Sequence, residues 1–436
     1  MQQTATITGI RKVGAVLILV LFAILPFHAF IAVSLGRLTG QPEIVALWKE
    51  LLTSAIIILG ALIGVRHVRK NGITNRWWHR PDFILILLIL VCGLVASIAG
   101  GAWRDVPLLV GLKTSVLPLI LFLAVQVFSR QISARQLSLV ILIPAAFVAG
   151  IALWQFFATP TAFFTQLGYG PSTILPYQGL HPDFPFGRSF ASLGGPNQLG
   201  TYLIIPAAIA LAYAVKARRR EVRLTAALGF TVFVLAAVTS FSRSALLGLA
   251  VAGAVAILLA VPKKFRVLTL GGFVAAGVAG GMAAWAVLMN AKSSAIDRFL
   301  LRGELTASGV FGGDEGHVTA LVQGYEAIVA SPVGRGIGAA GPASLYGLRP
   351  LITENWYLQI AVEFGIIGLG LMLMLLVNIM HTIRRHGPQD PLRIGFVGAF
   401  AGIMVANLFL HSFADSTLGL LTFGVAGLLY ASRSRA

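Results

Sequence analysis

Runs of apolar residues long enough to cross a lipid bilayer recur along the whole chain and leave it few folds to choose from. Crossing a hydrocarbon core about 30 Å thick takes roughly 20 apolar residues in a helix. Twelve segments qualify, at approximately 13–34, 45–65, 83–101, 107–128, 137–157, 198–215, 224–239, 244–261, 267–289, 356–379, 394–411 and 416–431. In lipid every backbone polar group must be satisfied internally, so these segments read as helices. Composition points the same way: 57% of residues are hydrophobic and only 11% charged, against roughly 25% charged in a soluble domain. The expected fold is an all-α membrane protein, a single polytopic domain over residues 1–436 with about 12 transmembrane helices. The first run follows Arg11 and Lys12 and exceeds the 7–15 residues of a signal-peptide core. It therefore reads as a membrane span and not as a cleaved leader.

The charges set the orientation. With the N-terminus placed in the cytoplasm, 22 of the 33 Lys and Arg residues fall in the cytoplasmic connections, from Arg11 and Lys12 through Arg218, Arg219 and Arg220 to Arg433 and Arg435. Every connection on that side is basic, which is the positive-inside pattern. The net charge of +18 then reports topology and attraction to anionic lipid heads, and not a nucleic-acid partner. Both termini are expected in the cytoplasm. The single cysteine, Cys92, excludes an intrachain disulfide and disfavours a Cys-based metal site.

Two connections on the outer side are long, about 158–197 and 290–353. Loops of that length are usually functional or disordered. Within the second, Leu321, Val322, Tyr325, Ile328 and Val329 recur at helical spacing and the pattern stops at Ser331-Pro332. It predicts an amphipathic helix lying over the outer membrane face. Common catalytic signatures are absent: there is no Gly-Lys-Ser/Thr phosphate loop, no His-Glu-x-x-His and no Asp-x-Asp. The match of Gly336-Ile-Gly338-Ala-Ala-Gly341 to a dinucleotide fingerprint follows no predicted strand and reads as tight-turn chemistry.

Polar residues gather at the outer ends of three helices. One begins after Arg188 and Gly195-Pro196-Asn197-Gln198, one at Ser242-Arg243-Ser244, one at Thr353-Glu354-Asn355-Trp356. Helix N-termini carry free N–H groups and a partial positive charge, which suits anions. An arginine at such an end opposes the dipole, so Arg243 either holds a phosphate or reaches lipid heads or an outer carboxylate. Arg188 and Arg335 are further candidates for the same anion, with structural ion pairs as the alternative. Glu354 is favoured in a first helical turn by the dipole alone; its functional reading is a general base. Asn355, Gln359 and Glu363 form a polar stripe in an apolar helix, and either bind substrate or pack helices. His317 opens the loop helix and is either a surface residue or part of the site.

Together, these stretches resemble the O-antigen ligase and O-antigen polymerase family of bacterial cell-envelope enzymes. The likeness lies in Arg188 with Gly195-Pro196-Asn197-Gln198-Leu199-Gly200, in Ser242-Arg243-Ser244-Ala245, and in the stretch from Gly316 through Pro332, Gly336 and Gly338 to Asn355, Gln359, Glu363, Gly365 and Gly368. It covers residues 185–380 in detail; the first five helices match only in hydropathy. The resemblance implies a metal-independent, cofactor-free, inverting glycosyltransferase of GT-C-like fold in the bacterial inner membrane. Its donor would be a glycan on undecaprenyl pyrophosphate and its acceptor a saccharide or glycolipid. Arg188 and Arg243 would grip the pyrophosphate. Two positions depart from the family: many members have His where this chain has Glu354, and Arg where it has His317. Glu354 as base with His317 nearby is the expectation for this chain, and the departure favours a polymerase-like enzyme over a ligase. A transporter or flippase of lipid-linked saccharide is the alternative class, although no convincing repeat relates the two halves; a structural or cell-division protein is a third.

Overall fold

The computed structural model describes residues 2–71, 79–101, 106–158, 161–176, 178, 187–273, 275, 282 and 313–432. Among them every regular element is helical. Among the described residues nine helices are long and apolar enough to cross a membrane: α1 (Thr8–Thr39), α2 (Pro42–Arg66), α3 (Pro81–Ala99), α4 (Val106–Phe128), α5 (Ala134–Ala158), α6 (Pro196–Lys216), α7 (Arg220–Thr239), α8 (Arg243–Ala260) and, after the loop helix α9 (Gly313–Ala330), α10 (Trp356–His386). Two shorter apolar helices follow, α11 (Pro391–Ala406) and α12 (Ser416–Ala431). The described residues are all-helical, and their apolar helices fit a multi-pass membrane protein. The expected span at 267–289 falls largely outside the described residues.

Prolines open several helices. Pro81, Pro196 and Pro391 each sit in the first turn, where a missing N–H costs nothing. Pro26 lies in a short 3-10 turn, Leu25–Phe27, that bends α1. Lys113 lies in a π-helical turn, Leu112–Val116, within α4. The charges inside spans satisfy one another: Glu50 pairs with Lys49 at 3.0 Å and Lys113 at 2.7 Å, and Lys49 Nζ meets His28 Nε2 at 2.7 Å. Glu363 and Gln359 are fully buried. Glu363 accepts from Gln359 Nε2 at 3.2 Å and from Ser115 Oγ at 2.8 Å, tying α10 to α4.

Helices α6, α8 and α11 meet through small residues. A methyl group on Gly402 would strike the Gly248 carbonyl, and one on Gly398 would lie 2.6 Å from the Ala252 carbonyl. Such close backbone approach is how helices associate where lipid removes the hydrophobic drive. Near their starts α6 and α8 touch as well, since a Cβ on Gly200 would lie 2.7 Å from that of Ala245. This seam holds the N-termini of α6 and α8 side by side.

The helix α10 is broken at Gly365, whose φ of 76° and ψ of 173° are open only to glycine. The segment 332–335 fills the break. The Ile366 N–H donates to Pro332 O at 3.0 Å, and Val362 O accepts from the Arg335 N–H at 2.7 Å. These are the two groups that an unbroken helix would have paired with each other. The loop before α10 is thereby stitched into that helix.

Candidate functional site

Three segments deliver side chains to one place. The first is 188–197. Arg188 donates from Nε to Ser240 O at 2.9 Å and from Nη2 to Asn197 Oδ1 at 2.8 Å, so it joins the start of α6 to the turn before α8. Its own stretch is pinned to α5 and α7. Gln155 Oε1 accepts from the Phe190 and Ala191 N–H groups at 3.0 and 2.9 Å, Ser189 Oγ donates to Ala152 O at 2.9 Å, and the Ser189 N–H donates to Thr239 O at 2.9 Å. Phe190 packs with Phe164 and Tyr169 in a small aromatic cluster, where burial pushes the Tyr169 phenol well above its usual pKa.

The second segment is Ser240–Ser244. Phe241 turns the chain at a φ of 50°, Ser242 precedes the helix, and Arg243 is the first residue of α8. The third is Thr353–Asn355. Asn355 caps α10, its Oδ1 accepting from the Leu358 N–H at 3.0 Å while its Nδ2 donates to Leu408 O at 2.9 Å. Glu354 takes a φ of 48°. His317 on α9 approaches it, with Nδ1 3.7 Å from Glu354 Oε2.

These residues enclose a cavity of about 330 Å³. Its polar wall is Asn197, Ser242, Arg243, Ser244, His317 and Glu354, and its apolar wall is Leu247, Leu321 and Leu408–Leu410. Two of the helices that open on it, α6 and α8, start without a side-chain cap. The same is true of α3 and α7, whereas α10, α11 and α12 are each capped by Asn or Asp. Uncapped N–H groups and two arginines give this end of the bundle a positive character suited to an anion. The three non-glycine residues with positive φ among the described residues, Ala191, Phe241 and Glu354, lie one on each delivering segment. Strain of this kind, about 1–3 kcal/mol per residue, clusters at functional sites.

Of the residues singled out in the sequence, Arg243, Glu354, His317 and Asn197 line this cavity. Arg188 reaches it through Asn197, and Asn355 through its neighbour Glu354 and through Leu408. Gln359 and Glu363 do not line it; they sit in the buried network with Ser115. Arg335 does not line it either, and its backbone serves the break in α10. Among the described residues no three His, Cys, Asp or Glu side chains gather so as to hold a metal ion.

The sequence reading missed His411. The apolar run 394–411 was expected to be helical throughout, but α11 ends at Ala406. The turn after it and the last turn of α11 are stitched to α10: the Trp356 N–H donates to Asn407 O and Leu410 O, both at 3.0 Å, and the Tyr357 hydroxyl donates to Met404 O at 2.7 Å. His411 is half-buried behind the cavity wall, and its buried Nδ1 has no hydrogen-bond partner among the described residues. Burial lowers its pKa; Glu354 opposes that shift and His317 adds to it. The one available signal was the polar cluster His411-Ser412…Asp415 between two apolar runs.

No known family model matches this chain, and no curated protein matches it.

Proposed function

We propose that the chain is a membrane glycosyltransferase with a GT-C-like arrangement of helices. It transfers or polymerises a glycan carried on undecaprenyl pyrophosphate at the outer face of the bacterial cytoplasmic membrane. The observation that carries this reading is the meeting of Arg243, Asn197 and Glu354 in one cavity beside two uncapped helix N-termini. A diphosphate needs cations and N–H donors; an acceptor hydroxyl needs a carboxylate within reach.

In the proposed reaction an oxygen of the acceptor attacks the anomeric carbon of the donor sugar. The bond from that carbon to the pyrophosphate oxygen breaks in the same displacement, inverting the configuration. Arg243, with Arg188 and the helix termini, stabilises the charge that gathers on the departing pyrophosphate. Glu354 takes the acceptor's proton, a role worth about 10²–10⁴-fold in rate. Asn355 holds Glu354 in register by fixing the start of α10. The polymerase form of the reaction is favoured over ligation because Glu354 and His317 stand where many members of the resembled family have His and Arg.

Arg243→Ala and Glu354→Gln are expected to abolish polymer formation while the protein still inserts at wild-type levels. Wild-type activity in either variant removes that residue from the mechanism. The glycan phenotype of a deletion strain separates the two forms: loss of long chains with single repeats still attached means polymerase, and accumulation of free lipid-linked polymer means ligase. A transport reading predicts substrate movement in proteoliposomes without a new glycosidic bond.

A further inference from the structure

The helix α9 has four sides when its residues are placed at 100° intervals. Ala320, Gly324 and Ala327 form the buried side; a Cβ on Gly324 would lie 3.2 Å from Leu358 and Thr353, and Ala327 is in the apolar cluster with Ala340 and Val362. His317 and Leu321 form the side that walls the cavity. Thr319, Gln323 and Glu326 form an exposed polar side. Val318, Val322, Tyr325 and Val329 form an exposed apolar side, each at least half accessible. An exposed surface split along the helix axis into an apolar and a polar strip is the pattern of a helix lying in the boundary between acyl chains and water.

The apolar strip does not end with the helix. It runs on to Val333, and the Ile366 N–H bonded to Pro332 O brings it against Ile366 and Ile367, which are exposed on the membrane-crossing α10. The surface on which α10 meets lipid is therefore continuous with the apolar strip of α9. The cavity behind α9 has a matching edge. Leu247, Leu321, Leu408 and Phe409 line it and are all partly open, and Leu247 lies one turn inside the membrane helix α8. At about 330 Å³ the cavity has the size of a small-ligand site. It has no room for a long hydrocarbon chain in addition to a polar head.

We infer that α9 rests in the lipid surface on Val318, Val322, Tyr325 and Val329, and that the cavity opens under it into the bilayer and not into water. An anionic amphiphile then keeps its hydrocarbon chain among the lipids, crosses the edge at Leu247, Leu321, Leu408 and Phe409, and places its head at Arg243. The nature of the head rests on the proposed transferase reading; the direction of the opening does not.

The test places a fluorophore on single cysteines in a Cys92→Ala background, since the chain has no other cysteine. The labelled full-length protein is reconstituted into phosphatidylcholine vesicles with plain or brominated acyl chains, and aqueous iodide is added as a second quencher. Labels at Val322→Cys and Leu408→Cys are expected to lose most of their emission in brominated lipid and little to iodide. A label at Gln323→Cys is expected to do the reverse. Iodide quenching of Val322→Cys equal to that of Gln323→Cys overturns the docking of α9. A Leu408→Cys label that iodide quenches and brominated lipid spares overturns the lateral opening. Both readings are independent of catalysis, so failure of the transferase reading shows separately, as activity retained in Arg243→Ala.

Discussion

At the scale of single residues, Glu354 holds a backbone conformation that its side chain disfavours. A φ of 48° costs a residue of its kind about 1–2 kcal/mol, and asparagine tolerates it far better. Glu354→Asn is expected to hold or raise stability, by about 1 kcal/mol, while removing the carboxylate from its reach and ending transfer. Thermal unfolding and glycan synthesis measured on one preparation check both halves. His411 supplies a pH prediction. Its folded-state pKa is lowered by burial, so on acidification the unfolded chain takes up this proton first. The stability it contributes is complete above about pH 6.5 and is lost as the pH falls below that value toward the lowered one. Unfolding midpoints are expected to drop as the pH falls below about 6.5, with a shallower slope in His411→Gln. Equal slopes would mean that another group carries the acid sensitivity. His411 also shows where sequence reading runs out. A lone imidazole at the end of an apolar run carries no periodic signal, and its neighbours Glu354 and His317 come from two other segments.

At the scale of helices, the starts and stops were largely legible. Pro196, Arg243 and Trp356 mark helix onsets both in the sequence and in the structure, because proline, charge and hydropathy act locally. The break at Gly365 was not legible, since the apolar pattern continues through it and the segment that repairs it lies 30 residues upstream, around 332–335. The Gln359 and Glu363 stripe was visible as polar. Its partner Ser115 was not, being 248 residues from Glu363. Gly365→Ala is expected to destabilise the protein by about 1–3 kcal/mol, and by more if Val333, whose carbonyl a methyl group would meet, cannot move. Arg393 gives a second test. It is buried, and it donates to Leu429 O at 2.7 Å and to Ser432 O at 2.6 Å, closing the C-terminal end of α12. Arg393→Met leaves those carbonyls unpaired and is expected to cost about 1.5–3 kcal/mol, read as a lower unfolding midpoint.

At the scale of the whole molecule, hydropathy sums along the chain, and that is why the polytopic architecture was readable while the packing of the bundle was not. The seam of α6, α8 and α11 depends on glycines whose partners lie on other helices, as Gly402 against Gly248 does. The charge pattern predicts which ends of the helices face the cytoplasm, and that prediction is open to labelling. In the Cys92→Ala background, a cysteine at the exposed Leu348 is expected to react with a membrane-impermeant maleimide added to intact cells, and one at Arg223 only after lysis. The opposite pattern would invert the topology and with it the side on which the cavity lies. The filling of α10 by residues 332–335 also orders the birth of the protein. Those residues leave the ribosome before α10 does, and on the proposed topology they must already have crossed the bilayer when it arrives. Until they fold back, the Val362 carbonyl and the Ile366 N–H have only each other as partners, across an unbroken turn. The break in α10 is thus a late feature, made when the preceding loop exchanges that internal bond for two of its own.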